Sequence, residues 1–172
     1  MTANVDERPI ASSLRRTARR FATGVTVVAV RRGAETYGLT ANSFLTLSLE
    51  PPLIGVSVTA RGRMRRLTEP GGHFGVSILC GHQHEYAQHF AAHARAGLPP
   101  HLPPLITDGT PAPLVPGCAA YFVCRIEHIY PVGDHDLIVG EVIECDAPNL
   151  EEPPLIFLDG GYRTAGDEVS DD

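Results

Sequence analysis

The chain of 172 residues, 43% of them hydrophobic, is long enough for one domain with a substantial core and too short for two domains of ordinary size. Its formal net charge of −6 argues against nonspecific binding to nucleic acid or to anionic membranes, because both need a broad basic face. The sequence has neither an apolar run that could span a bilayer nor an apolar signal core near its start, so we expect one cytoplasmic domain over residues 1–172.

The predicted elements are mostly short strands that follow one another in hairpin order. Apolar residues at helical spacing predict an amphipathic first helix over 12–21. Strands are predicted over 25–30, 36–41, 53–58, 73–79, 118–129, 137–145 and 155–158, with shorter helices over 62–69 and 81–93. This order favours a mainly β fold, a small antiparallel barrel rather than a doubly wound sheet. We place the core at about 12–163 and expect the acidic tail 164–172 to be disordered.

Two connections stand out between these elements. Residues 130–136 are predicted to join the two longest strands as a loop. The proline-rich segment 97–116 is expected to form either a lid or an arm that wraps the barrel.

The histidine-rich segment gives little support to a metal site. His84 and Glu85 are followed by His89, one residue further than in the H-E-x-x-H motif, so the two imidazoles fall on different faces of a helix. Glu85, His89 and His93 share one stripe, but a solvated helix face explains that stripe more simply. We therefore assign no metal.

Other familiar motifs are missing from the sequence. It has no G-x-G-x-x-G or G-K-[ST] pattern, which excludes a Rossmann or P-loop nucleotide site, and no G-x-S-x-G elbow for a nucleophilic serine. The cysteines are scattered in apolar surroundings and are expected to be reduced thiols packed in the core: Cys80, Cys118, Cys124 and Cys145.

Three stretches are candidates for a binding site, and each also has an ordinary structural explanation. Small polar residues from Gly38 to Phe44 would let a flat ligand approach the backbone, or they form a plain turn. The arginine cluster over 61–66 directly follows a predicted strand and suits a phosphate. His135 could reach into the barrel mouth, or bond to its flanking aspartates. Tyr162 and Arg163, after paired glycines, are equally ambiguous.

In combination and in register, several of these motifs resemble the short-chain flavin reductase family, the NAD(P)H:flavin oxidoreductases that serve two-component flavin monooxygenases. The resemblance spans nearly the whole chain, from about Ser12 to Tyr162. The motifs that carry it are Phe21-Ala22-Thr23-Gly24-Val25, the Gly38 to Phe44 stretch, Ser48-x-x-Pro51-Pro52-Leu53, Gly133-Asp134-His135 and Gly140-Glu141-Val142.

The resemblance implies a split β-barrel of Greek-key type that forms a homodimer, with FMN or FAD at the subunit interface and NADH or NADPH as hydride donor. It places the isoalloxazine ring against Thr40, Ala41, Asn42 and Ser43, and the ribityl and phosphate groups against the segment Ser57, Val58, Thr59, Ala60, Arg61 and Arg63. His135 would lie near the nicotinamide as the catalytic residue, and Tyr162 and Arg163 would complete the cofactor site.

The function implied is hydride transfer to a flavin that then supplies a partner flavin-dependent monooxygenase. A flavin-binding barrel without turnover, such as a carrier or sensor, is the alternative, and an oxidase acting on a phosphorylated vitamin is a third. The chain departs from its relatives at Arg61 and Met64, which stand where a serine and a threonine often contact the phosphate, and at Ser77, where asparagine is common. Guanidinium groups would then replace the lost hydroxyl contacts.

Overall fold

A computed structural model of the chain describes residues 10–92 and 97–165, so that His93 and the acidic tail from Asp167 lie outside the described residues. The strands are β1 Thr23–Gly24, β2 Thr26–Arg32, β3 Glu35–Ala41, β4 Leu45–Leu49, β5 Pro52–Thr59, β6 His73–Ile78, β7 Ala120–Val132, β8 His135–Asp146, β9 Leu155–Leu158 and β10 Gly161–Thr164. The helices are α1 Ile10–Ala18, α2 Arg63–Leu67 and α3 His84–Ala91, the last preceded by a 3-10 turn over Gly81–Gln83.

Seven strands form the main sheet in the order β3-β2-β6-β7-β8-β5-β4, and every neighbouring pair is antiparallel. A second sheet has the order β1-β9-β10. The main sheet curls without closing, and its two edge strands follow each other in the chain. Ser43, between these edges, ties the connection to β5, because its hydroxyl donates to the Ser57 carbonyl over 2.8 Å and accepts from the Ser57 N–H over 3.1 Å. The predicted mainly β, antiparallel class is confirmed.

The inside of the curled sheet holds the main core. Phe74, Val56 and Val76 are fully buried at its centre. Helix α2 covers one end of this core: Met64 is inserted among the core side chains, while Arg65 next to it pairs with Asp136. Met64 is therefore a packing residue of the core.

A second apolar cluster joins the small sheet, α3 and the proline-rich segment. Backbone hydrogen bonds link Val25, Leu79 and Leu155 around it. The Tyr86 hydroxyl donates to the Pro103 carbonyl over 2.6 Å, and Arg31 donates to the Thr107 carbonyl over 2.9 Å. The segment 97–116 is thus a wrapping arm fixed to the barrel, and not a lid.

The predicted loop over 130–136 is wrong. Strands β7 and β8 pair up to Val132 and His135, which leaves only Gly133 and Asp134 as the turn. Gly133 has a φ of 64°, a conformation that favours glycine in a two-residue hairpin turn. Pro131 lies within β7 and pairs with Asp136 across the hairpin.

Strands β4 and β10 were also missed in the sequence. All five residues of β4 are exposed or half-buried, so β4 lacks the alternation of a strand with one buried face. Strand β10 has only four residues and begins at a glycine. No helix within the two described ranges is long and apolar enough to cross a membrane.

Three of the four cysteines match the prediction of buried thiols. Cys80, Cys118 and Cys124 are buried, whereas Cys145 is exposed, which corrects the prediction for that residue. Burial raises the pKa of Cys124 to about 12, and it also raises the pKa of Cys80 and Cys118. These three thiols are therefore protonated and unreactive at neutral pH.

Candidate functional site

A cleft of about 830 Å³ lies between β3, β5, α2 and α3. Its volume is typical of a site for a cofactor-sized ligand. One wall is basic, and the rest combines apolar residues, hydroxyl groups and the His89 imidazole. The residues that line it are Thr36, Tyr37, Gly38, Leu39, Thr40, Val58, Thr59, Arg61, Gly62, Arg63, Met64, Arg66, His89, Phe90 and Ala91.

The arginines of the cluster differ in what they bind. Arg63 pairs with Glu35, and Arg65 turns away from the cleft to pair with Asp136. Arg66 donates to the backbone carbonyl of Arg61 over 2.9 Å. The Arg61 guanidinium is exposed and contacts no acceptor in the ranges 10–92 and 97–165. Arg61 is therefore the cation in this wall that is most available to an anionic ligand.

Helix α3 forms the opposite wall because β3 lets it approach closely. A Cβ at Gly38 would lie 2.7 Å from the Phe90 ring, so only glycine permits this contact. The Thr40 hydroxyl donates to the Ala87 carbonyl over 2.7 Å and fixes the same helix. Gly38 and Thr40 thus set the width of the cleft.

A smaller cleft of about 280 Å³ is lined in part by Asn42 and Phe44, in the segment that follows β3. The Oγ1 atom of Thr23, one of its lining residues, is buried and has no hydrogen-bond partner within the described chain. The smaller cleft is lined by Phe21, Ala22, Thr23, Gly24, Thr26, Asn42, Phe44 and Ile78. Its lining therefore includes most of the Phe21-Ala22-Thr23-Gly24-Val25 motif.

The turn between β7 and β8 is held beside the larger cleft. The Ala60 N–H donates to the Asp134 carbonyl over 3.1 Å, and His135 lies opposite Thr59 in the β5–β8 pairing. His135 Nδ1 lies 2.8 Å from Asp134 Oδ1, and this hydrogen bond lowers the pKa of Asp134. Because an ionised carboxylate only accepts, Nδ1 carries the proton and Nε2 stays available to another group.

Comparison with known proteins identifies the fold and the family. The flavin reductase like domain matches residues 18–166, which is most of the chain. The chain belongs to the flavin reductase family.

Similar proteins support this assignment over nearly their full length. The reductase component of 4-hydroxyphenylacetate 3-monooxygenase from Thermus thermophilus is 40% identical over 144 residues, covering 84% of this chain and 89% of that protein. The NADH-dependent FAD reductase of Streptomyces globisporus is 40% identical over 156 residues, covering 87% and 83%. The structure of the NADH:FAD oxidoreductase of Streptomyces globisporus with NAD and FAD fragments has a TM-score of 0.84 at 35% identity, covering 98% of this chain and 100% of that one. The predicted split barrel is confirmed.

The structure of this flavin reductase brings together only part of the predicted site. Thr40, Val58, Thr59, Arg61 and Arg63 line the larger cleft, and Asn42 lines the smaller one. The side chains of Ser43 and Ser57 face neither cleft, and the Ala41 side chain is buried in the core.

Two predicted residues of the family site lie in the second sheet. Tyr162 packs its ring against Phe157 with 5.6 Å between the ring centres, and neither Tyr162 nor Arg163 lines either cleft. Their contribution to cofactor binding stays a prediction.

Several cleft residues of the flavin reductase were not among the predicted ones. Tyr37 stands below Arg63, whose guanidinium carbon lies 5.2 Å from the ring centre. Arg66 belongs to the cluster that the sequence shows, so its position could have been included. His89 and Phe90 come from α3, and no sequence signal connects that helix to β3.

One member of the stripe considered as a metal site, Glu85, pairs with another residue, and His93 lies outside the described residues. Glu85 Oε2 lies 2.5 Å from Nε2 of His101 in the wrapping arm, and this hydrogen bond lowers the pKa of Glu85. The 10–92 and 97–165 ranges contain no group of three histidine, cysteine or acidic residues that could hold a metal ion.

The donor set of the larger cleft fits a flavin nucleotide. The Arg61 guanidinium, which contacts no acceptor within the described ranges, suits a phosphate, and the half-buried Leu39 supplies apolar surface beside Thr40. Thr59 also lines the cleft, and its hydroxyl can hydrogen-bond to a polyol chain.

Proposed function

We propose that this chain is a flavin reductase that oxidises NADH, reduces FMN or FAD, and supplies the reduced flavin to a partner monooxygenase. The observation that carries the proposal is Arg61, which contacts no acceptor within the described ranges and faces a cleft of cofactor size. The names of the relatives support the use of NADH and both flavins, since they include an NADH-dependent FAD reductase and an NADH-dependent FMN reductase. NADPH is the less supported donor.

The chain's own residues bind and orient in this proposal. When bound, the flavin supplies the chemistry by accepting a hydride from the nicotinamide. Arg61 and Arg63 hold the phosphate, and the Thr59 side chain contacts the ribityl chain. Asn42 and Ser43 lie just beyond the last pair of the β2–β3 ladder, Thr26 with Ala41, so their N–H groups lie outside that ladder and are the candidates to stabilise negative charge on the ring.

His135 orients the nicotinamide in this account. Its alanine variant should raise KM for NADH about threefold to tenfold and change the flavin KM less, because a single hydrogen bond accepted by Nε2 is lost. Steady-state kinetics with each substrate varied in turn measure both constants. His82→Ala is the control, since His82 lies 3.7 Å from Glu152 and lines neither cleft. A selective loss of flavin affinity in His135→Ala would contradict this role.

An apolar outer face supports the proposed homodimer. Leu45, Leu47 and Leu137 gather over Gly55, where a Cβ would touch all three side chains. Leu45 and Leu47 are 42% and 41% exposed, and Tyr130, which pairs with Leu137 across the β7–β8 ladder, is 50% exposed. Contiguous apolar surface of this kind marks an association site.

We expect Leu47→Glu to convert the dimer to a monomer, because a buried, unpaired carboxylate is costly at an interface. Light scattering after size exclusion should give twice the chain mass of 18.5 kDa for the native protein and that mass for the variant. Leu150→Glu, at a 78% exposed leucine outside this face, should remain dimeric. A monomeric native protein would contradict the homodimer.

The partner and the compartment are further parts of the proposal. Relatives named as reductase components of monooxygenases support a monooxygenase partner that receives reduced flavin. Buried free thiols at Cys80, Cys118 and Cys124 support a reducing compartment, the cytoplasm. We also propose that the chain forms a single domain.

The direct test is NADH oxidation with free flavin, followed at about 340 nm, where reduced nicotinamide absorbs. We expect turnover that depends on both substrates, with FMN and FAD compared in parallel. Flavin binding without NADH consumption would instead support the carrier or sensor alternative. Tightly bound FMN that copurifies without NADH consumption would support the vitamin oxidase.

A further inference from the structure

The guanidinium of Arg63 is occupied by a carboxylate at the rim of the larger cleft. Arg63 Nε donates to Glu35 Oε1 over 2.8 Å, and Nη2 lies 2.7 Å from the same oxygen. Glu35 precedes Thr36 and Tyr37, which line the cleft together with Arg63. A fixed negative charge therefore stands beside the wall that the proposed function assigns to the flavin phosphate.

The arginine that lies opposite Glu35 in the β2–β3 ladder pairs with a different carboxylate. Arg32 lies opposite Glu35 in the β2–β3 ladder, yet its guanidinium pairs with Glu69 over 3.0 Å. The Arg63 and Glu35 side chains are 54% and 42% exposed. Exposed ion pairs contribute little to folding stability, so stability does not account for the contact.

We propose that Glu35 competes with the flavin phosphate for Arg63, and that this competition keeps the flavin exchangeable. The inference rests on the proposed function, because it needs a phosphate in the larger cleft. An incoming phosphate must either displace the carboxylate from Arg63 or bind close to a like charge, and both weaken binding. A reductase whose reduced flavin must reach another protein needs to bind that flavin weakly. Glu35 is thus a positioning residue that acts through Arg63.

The test compares two flavins that differ in the phosphate. In Glu35→Gln the side chain keeps its size and loses its charge. We expect its Kd for FMN to fall about threefold to tenfold at low ionic strength, and its Kd for riboflavin to stay unchanged. Quenching of flavin fluorescence measures both constants without turnover. Added salt should reduce the gain for FMN, and Glu35→Asp should bind FMN as the native protein does.

Glu69→Gln is the matched control, because it removes the same charge from a pair of similar exposure, 51% and 58%, whose members do not line the cleft. We expect it to bind FMN as the native protein does. Unchanged FMN affinity in Glu35→Gln, an equal gain for riboflavin, or an equal gain in Glu69→Gln would overturn the competition. A native protein that reduces no flavin would overturn the proposed function instead, so the two failures are distinguishable.

Discussion

Replacing Arg61 with alanine should weaken FMN binding by about tenfold to a hundredfold, the loss expected for a hydrogen-bonded charge pair. The reason is that Arg61 lines the larger cleft and contacts no acceptor within the described ranges, so a phosphate is its first strong partner. Riboflavin, which lacks the phosphate, should bind nearly as before. Fluorescence titration of both flavins measures the difference.

The Arg61 variant should keep its fold, because the group that Arg66 contacts is the backbone carbonyl of Arg61 and not its side chain. Thermal unfolding checks this. Arg16→Ala serves as the control, since Arg16 is exposed on α1 and lines neither cleft. Native-like FMN affinity in Arg61→Ala would remove the phosphate role from this residue, and a parallel loss for riboflavin would point to a disturbed cleft.

A large effect on stability is expected at Gly140 in the middle of β8. A Cβ there would lie 2.4 Å from Phe74 Cε1 and 2.8 Å from the Cβ of Cys124. Phe74 is fully buried at the centre of the core and has no room to move. We therefore expect Gly140→Ala to lower the free energy of unfolding by about 1–3 kcal/mol through overpacking, measured by denaturant unfolding.

Two further variants separate overpacking from a general effect of removing glycine. A Cβ at Gly24 would meet nothing within 4 Å, so Gly24→Ala should be close to neutral. Phe74→Leu replaces the ring by a smaller side chain. It should restore part of the free energy of unfolding that Gly140→Ala loses, although by itself it lowers the free energy of unfolding. Gly140→Ala with native stability, or strict additivity of the two changes, would refute the close contact.

The strands that line the core were predictable because their patterns are local. Val25 to Val30 is β-branched and apolar, and the observed β2 covers nearly the same residues, since burial of such a run needs no distant information. Strand β4 lies at the edge of the sheet with no buried residue, so the usual alternation was absent there. The loop predicted around Pro131 failed because an edge or bulged strand can accept a proline that sequence reasoning treats as a stop.

The residues of the candidate site were predictable only where they come from one continuous segment of the sequence. Arg61 and Arg63, predicted to pair with the phosphate, both line the larger cleft, and their role in phosphate binding stays a prediction. The resemblance could not indicate that Glu35 already occupies Arg63, because that contact joins a hairpin to a helix 28 residues further along. Phe90 of α3 can line the cleft only because Gly38 has no side chain. The sequence does not show this contact, because it depends on how α3 packs against β3.

A crystal structure with bound FMN tests the central claim most directly, because it reports where the ring and the phosphate lie. The account predicts the phosphate within hydrogen-bond distance of the Arg61 guanidinium in the larger cleft, with the ring against the Thr40 to Ser43 backbone. A phosphate directed away from Arg61, or a ring bound far from Asn42 and His135, would contradict it.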